Sequence, residues 1–151
     1  MAKESLFNII GNHFNLSTIS VLDLFTGTGN ISYEFVSRGC LQVTALDSDP
    51  RCIKFVKQTA LKLNYSEITA IRSDCTAFLK HTTRQWDLIF ADPPYSMENV
   101  EYLPQLVRDN NLLKKGGWLV IEHEKHIEFT DQTGLFDHRK YGKVNFSFFG
   151  K

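Results

Sequence analysis

Short apolar runs alternate with segments of helical period along most of the chain. The opening stretch MAKESLFNIIGNHF is amphipathic and reads as a helix. Ser20 to Phe25 (SVLDLF) reads as a buried strand ending in the glycine turn Thr26-Gly27-Thr28-Gly29-Asn30. Asn30 to Arg38 then has a helical pattern, with Ile31 and Phe35 on one face and Gly39 as the stop. Gln42 to Asp47 is the next strand. Asp49 is a good N-cap and Pro50 a good first residue for a helix whose apolar face is Ile53, Val56, Ala60 and Leu63. Ile68 to Ser73 predicts a third strand, Thr76 to Lys80 at most a short helix, and Asp87 to Ala91 a fourth strand stopped by Asp92-Pro93-Pro94-Tyr95. Val100, Leu103 and Val107 mark another helix, which Pro104 either kinks or restarts. Gly116-Gly117 opens a fifth strand, Trp118 to Glu122, and residues 124–133 form a polar loop. Leu135 to Tyr141, Gly142, and Lys143 to Phe149 read as an antiparallel hairpin, with Val144, Phe146 and Phe148 alternating.

Strand–helix alternation implies a parallel sheet with helices on both faces. The expected fold is α/β: a doubly wound, Rossmann-like, seven-stranded mixed sheet with its last strand antiparallel. The 151 residues suit one domain, taken as 1–151. Lys+Arg and Asp+Glu are both 17, which excludes a strongly basic protein that coats nucleic acid but leaves room for a local basic patch. No apolar run is long enough to span a membrane, and the N-terminus lacks the features of a secretory signal. Cys40, Cys52 and Cys75 are widely spaced and odd in number. They indicate neither a disulfide framework nor a paired-cysteine metal site, and a reducing, cytoplasmic location is expected.

Two motifs carry chemistry. The first is Asp23-Leu24-Phe25-Thr26-Gly27-Thr28-Gly29-Asn30. Glycines at the end of a first strand let the backbone approach a ligand at the switch point of an open sheet. The third glycine of a dinucleotide fingerprint is absent, since Ser32 stands in its place. Asp23, inside the strand, suits a cationic amino-acid group and has no use beside a pyrophosphate. Asp47 ends the second strand where a carboxylate accepts both hydroxyls of a ribose, with Ser48 beside it. Asp74 ends the third strand and can accept from an adenine amino group, or merely cap the turn, as Asp47 also can. Adenosine plus a positive group without phosphates describes S-adenosylmethionine better than a nicotinamide dinucleotide.

The second motif is Asp92-Pro93-Pro94-Tyr95. Two prolines stiffen the turn and leave carbonyl oxygens free to accept bonds. Acceptors followed by an aromatic ring suit a flat group bearing NH2. Asp92 and the Pro93 carbonyl take the amino protons, and Tyr95 stacks on the ring. The bland alternative is a proline turn with a packed tyrosine.

With these pieces in order, the chain resembles the class I S-adenosylmethionine-dependent methyltransferases that modify exocyclic amines. More narrowly it is similar to the bacterial 16S rRNA (guanine-N2) methyltransferase family. The resemblance rests on AKESLFNII, VLDLFTGTGNISYEFVSRG, LDSDP, SDCTAFL, FADPPY, GWLVIEHEK and YGKVNFSFF, which cover nearly the whole chain. It implies that Asp23, Phe25, Gly27 and Gly29 hold the methionine side of the cofactor and that Asp47 holds the ribose. It further implies that Asp74 and the Cys75 backbone contact adenine, and that Asp92, Pro93 and Tyr95 bind the amine. The implied partner is 16S rRNA or the assembling small subunit, with no membrane or metal and the chain acting as a monomer. Family members carry a basic segment before the first helix. This chain starts inside that helix, so weaker RNA docking is expected. An adenine-N6 methyltransferase on DNA or RNA is the leading alternative. A glutamine-amide methyltransferase, a non-catalytic module of the same fold and an oxidoreductase follow.

Weaker signals remain. Glu122-His123-Glu124-Lys125-His126 reads as solvated residues at a strand end, in preference to a metal site. Arg139, Lys140, Lys143 and Lys151 form either a phosphate-contacting patch or a solvated hairpin face.

Overall fold

A computed structural model describes residues 1–151. The strands are β1 (Ser20–Leu24), β2 (Gln42–Asp47), β3 (Ile68–Arg72), β4 (Trp86–Ala91), β5 (Leu113–His123), β6 (Leu135–Tyr141) and β7 (Val144–Gly150). The helices are α1 (Ala2–His13), α2 (Asn30–Ser37), α3 (Pro50–Leu63), α4 (Cys75–His81) and α5 (Leu103–Asp109), with a short 3-10 turn at Val100–Tyr102 before α5. One sheet holds all seven strands in the order β3-β2-β1-β4-β5-β7-β6. β7 alone runs against its neighbours, pairing antiparallel with both β5 and β6. This is the doubly wound mixed sheet expected of the class I methyltransferase fold.

The chain builds outward from β1 to β3, then returns to place β4 against the other side of β1. The switch point therefore lies between the tips of β1 and β4, where Leu24 is in register with Ala91. Alternation along the central strands fills both faces. Leu22, Leu24, Ile89 and Ile121 pack with Leu79 of α4 and Leu103 and Val107 of α5. Val21, Phe90 and Val120 pack with Leu6, Phe7 and Ile10 of α1 and Phe35 of α2.

Several boundaries shift from the sequence pattern. β1 stops at Leu24 because Phe25 has φ +58, which leaves the extended region. Pro104 starts α5 instead of kinking a longer helix. Leu63 stays half-exposed, because Asn64 turns left-handed directly after it and Tyr65 packs inward instead. β5 begins at Leu113, before the Lys-Lys-Gly-Gly break. Leu113 pairs with Trp86, the chain bulges out, and pairing resumes at Trp118 with Leu88. Gly117 closes that bulge so tightly that a Cβ would lie 2.8 Å from the Asp87 carbonyl oxygen. The polar 124–133 loop is pinned by buried Phe129, by the Thr130 N–H donating to the Glu101 carbonyl, and by the Arg108–Asp131 ion pair.

Candidate active site

The glycine turn forms where β1 enters α2. Asp23 is buried at the end of β1, and its Oδ2 accepts from Thr26 Oγ1 at 2.8 Å and Ser32 Oγ at 2.7 Å. Those bonds tie the strand, the turn and the first turn of α2 together. Burial pushes the Asp23 carboxyl up to about 7; the two hydroxyl bonds oppose the rise and the Asp92 charge adds to it. Phe25 holds the left-handed conformation, a costly state for a bulky residue that the surrounding turn enforces. Gly27 (φ +56) faces open space: a Cβ there would meet nothing within 4 Å. Gly29 (φ +92) caps α2 and is crowded, since a Cβ would lie 2.6 Å from the Tyr33 ring.

Asp47 already bonds the chain. Its Oδ2 accepts from Gly27 N at 2.9 Å and its Oδ1 from Asp49 N at 2.9 Å, so it clamps the tip of β2 to the glycine turn. Each oxygen keeps a further lone pair for a ligand. Ser48 is exposed beside it, its carbonyl accepting from Arg72 Nε at 3.3 Å. Asp74 caps α4, accepting from Thr76 N at 3.2 Å, and remains exposed. Cys75 is buried under Phe25, and burial drives its thiol up to about 12, so it is protonated and inert at neutral pH.

Asp92, Pro93 and Tyr95 lie across the switch point and line a cleft of about 410 Å³, within the range of small-molecule sites. The Tyr95 ring is 90% exposed and packs on nothing, so the tyrosine of a packed proline turn is not what is found. Asp92 is exposed on its cleft side, while the protein atoms crowded behind it raise its carboxyl from its ordinary value. The glycine turn, Asp47, Ser48, Asp74 and Cys75 sit at the tips of β1 to β3, outside the lining of this cleft. The site thus has two parts, joined where β1 meets β4.

The opposite wall of the cleft differs from the solvated strand end expected from sequence. Glu122 at the tip of β5 is half-buried and lines the cleft, and burial together with the Asp92 charge pushes its carboxyl up to about 7. His123 is half-buried as well. Its Nε2 lies 2.7 Å from Ser147 Oγ, its Nδ1 2.8 Å from the Glu124 carbonyl, and its ring meets Phe129 edge-on. Both ring nitrogens are therefore engaged, and burial lowers the imidazole pKa and keeps it neutral. No group of three His, Cys, Asp or Glu side chains is arranged to hold a metal ion.

The basic residues of the last hairpin divide. Lys143, in the β6–β7 turn, lines the cleft. Arg139 is held by Asp137 at 2.8 Å. Lys151 follows the far end of β7, where its Nζ donates to the Leu113 carbonyl at 2.9 Å. No single patch of four cations forms, because β7 carries Lys143 and Lys151 to opposite ends of the strands. No lysine or arginine pairs with Asp23, Asp92 or Glu122. Three carboxyls thus converge with no protein cation within ion-pair distance, although Lys143 lines the same cleft as two of them.

Comparison with known proteins bears on this arrangement. The family described as conserved hypothetical protein 95 matches residues 1–150. The ribosomal RNA small subunit methyltransferase D of Buchnera aphidicola (subsp. Baizongia pistaciae) is 30% identical, over 97% of this chain and 76% of that protein. The protein of the same name from Haemophilus influenzae is 32% identical, over 82% of this chain and 65% of that protein. The solved structure of a conserved hypothetical protein from Streptococcus pyogenes superposes with a TM-score of 0.84 at 25% identity, covering 98% of this chain and 94% of that one. The chain belongs to the conserved hypothetical protein 95 family, the family of the ribosomal RNA small subunit methyltransferases D.

Proposed function

We propose that this protein transfers a methyl group from S-adenosylmethionine to the exocyclic N2 amino group of a guanine in 16S rRNA, naked or in the assembling small subunit. The observation that carries the reading is the adjacency of the glycine turn on β1 and the Asp92-Pro93-Pro94-Tyr95 turn on β4, in register at Leu24 and Ala91.

The residues fit the donor. Gly27 opens onto free space, and the carboxyls of Asp23 and Asp92 stand nearby without a cation of the protein's own. A cationic ligand offsets that surplus of negative charge. Asp23, Phe25, Gly27 and Gly29 would hold its amino-acid end, Asp47 and Ser48 its ribose, and Asp74 and the Cys75 backbone its adenine. When bound, S-adenosylmethionine supplies an electrophilic methyl group on a sulfonium centre.

The chain's own residues do the rest. The Asp92 carboxylate and the Pro93 carbonyl accept the amino protons of the base, and Tyr95 stacks on its ring. A conjugated amine is a poor nucleophile, so the rate depends on its orientation and on fixed acceptors. As the nitrogen bonds to carbon it becomes acidic, and Asp92, whose carboxyl is raised by burial, takes the proton late. The base is reached unpaired or flipped, and Lys143 at the cleft edge suits a backbone phosphate.

Tritium transfer from labelled donor to naked 16S rRNA, assembled small subunits and duplex DNA tests the reading, with the modified nucleoside identified by mass spectrometry. N2-methylguanosine in either ribosomal substrate is expected. Label only in DNA, or only in adenine, overturns it.

A further inference from the structure

The reaction as proposed leaves the tip of β5 without a task, yet the cleft is closed there by an acid. Glu122 follows Ile121, the register partner of Ala91, and Ala91 precedes Asp92. Alternation with Val120 turns Glu122 to the sheet face that also carries Phe90, so it stands beside Asp92 in the same cleft as Pro93 and Tyr95. Its carboxyl responds to burial and to the Asp92 charge, and no hydrogen bond from the protein contributes to its state. A half-buried acid with neither an ion pair nor a hydrogen-bond donor is costly unless a ligand supplies the donor.

Two acids on neighbouring strand tips call for a ligand edge that presents two neighbouring donors. Guanine has such an edge, with N1–H beside the N2 amino group. Adenine does not, because the ring nitrogen beside its amino group carries a lone pair. We propose that Glu122 is a specificity-determining residue whose carboxylate accepts the N1–H of the target guanine while Asp92 and the Pro93 carbonyl hold the N2 amino group. This rests on the reading of the substrate as an exocyclic amine of guanine and explains how that base is told from adenine. Donation from N1–H favours the ionised carboxylate and so counters the burial that raises it. An adenine in the same place sets lone pair against carboxylate, a mismatch that polar sites reject strongly.

The test removes the N1–H, together with the O6 carbonyl, and uses the Glu122 variants to separate the two losses. The guanosine modified by the wild-type protein is mapped, and the rRNA is rebuilt by ligation with 2-aminopurine riboside at that position, which keeps the 2-amino group and turns N1 into an acceptor. The wild-type protein is expected to prefer guanosine in kcat/KM by about tenfold to a hundredfold, the size of one charge-assisted bond. In Glu122→Gln the carboxamide can donate to N1, so the preference should collapse to near unity through a gain on the analogue as well as a loss on guanosine. Glu122→Asp should lose rate on both and keep the preference. A residue that only shapes the cleft lowers both rates together. An unchanged preference in Glu122→Gln overturns the inference, as does a wild-type protein that treats the two bases alike, a result needing no variant. A wild-type protein that forms no N2-methylguanosine overturns the function on which the inference rests, and the inference with it.

Discussion

The two ends of β4 each carry an aspartate, and their surroundings are opposites. Asp87, near the start, accepts from Ser20 N at 2.8 Å and Ser20 Oγ at 3.2 Å, and Lys114 Nζ stands 3.5 Å away. It fastens β1 to β4 and carries its own counter-charge. Asp92, just past the other end, has no cation within ion-pair distance, and its charge is felt by Asp23 and Glu122. An acid whose partners come from the chain holds strands together. An acid left short of partners inside a cleft is held ready for something that arrives.

Removing Asp92 tests the contrast hardest. Asp92→Ala should lower methyl transfer by about a hundredfold to a thousandfold, the usual loss for one fixed group acting on developing charge. The melting temperature should hold or rise, since an uncompensated carboxyl has gone. Full turnover with a lowered melting temperature would instead class Asp92 with Asp87.

The next effect is on pH. The Asp23 carboxyl ordinarily titrates at 3.8 and sits at about 7 in the folded protein. Between those values the folded state keeps a proton that the unfolded chain releases, so stability is greatest at the acid end and falls as pH rises. The loss is at most about 4 kcal/mol across the window. Melting curves of the ligand-free protein from pH 4 to pH 7 should therefore slope downward, and Asp23→Asn should flatten them. Glu122 adds a slope of the same sign. A variant as steep as the wild type would remove Asp23 from the account.

Asp87→Ala is the smallest and the mirror image of the first. It strands the buried Ser20 N–H, which costs about 1–3 kcal/mol. The urea midpoint should fall while kcat stays put. A comparable fall in kcat would erase the distinction between the two ends.

What the sequence made legible follows from how local each feature is. The glycine turn and the Asp-Pro-Pro-Tyr turn are each built by consecutive residues whose backbone preferences are fixed by glycine and proline, so both stand out unaided. Asp49 as N-cap is equally local, accepting from Arg51 N at 2.8 Å. Glu122 is different. Its surroundings come from Asp92 beyond β4 and from Phe146, its register partner on β7, both distant in the chain, and the polar run around it reads as solvated. Lys143 parts from Lys151 only once β7 is seen to cross the sheet. Asp47 is a case between: its place at the end of β2 is plain, whereas its clamp on Gly27 depends on two strand tips meeting. The early start of β5 stays hidden because the glycine bulge looks like a terminus.

The reversal of β7 has a consequence for how this molecule can change. A parallel last strand would return its connection to the base of the sheet; the antiparallel one delivers the Tyr141–Val144 bend to the rim above Asp92. That bend belongs to neither the glycine turn nor β4, so insertions or deletions there would widen or narrow the entrance while the chemistry beneath stays the same. The fold thereby keeps an adjustable mouth on a fixed reaction chamber, and a chain of this design can acquire a new target through a few residues of hairpin.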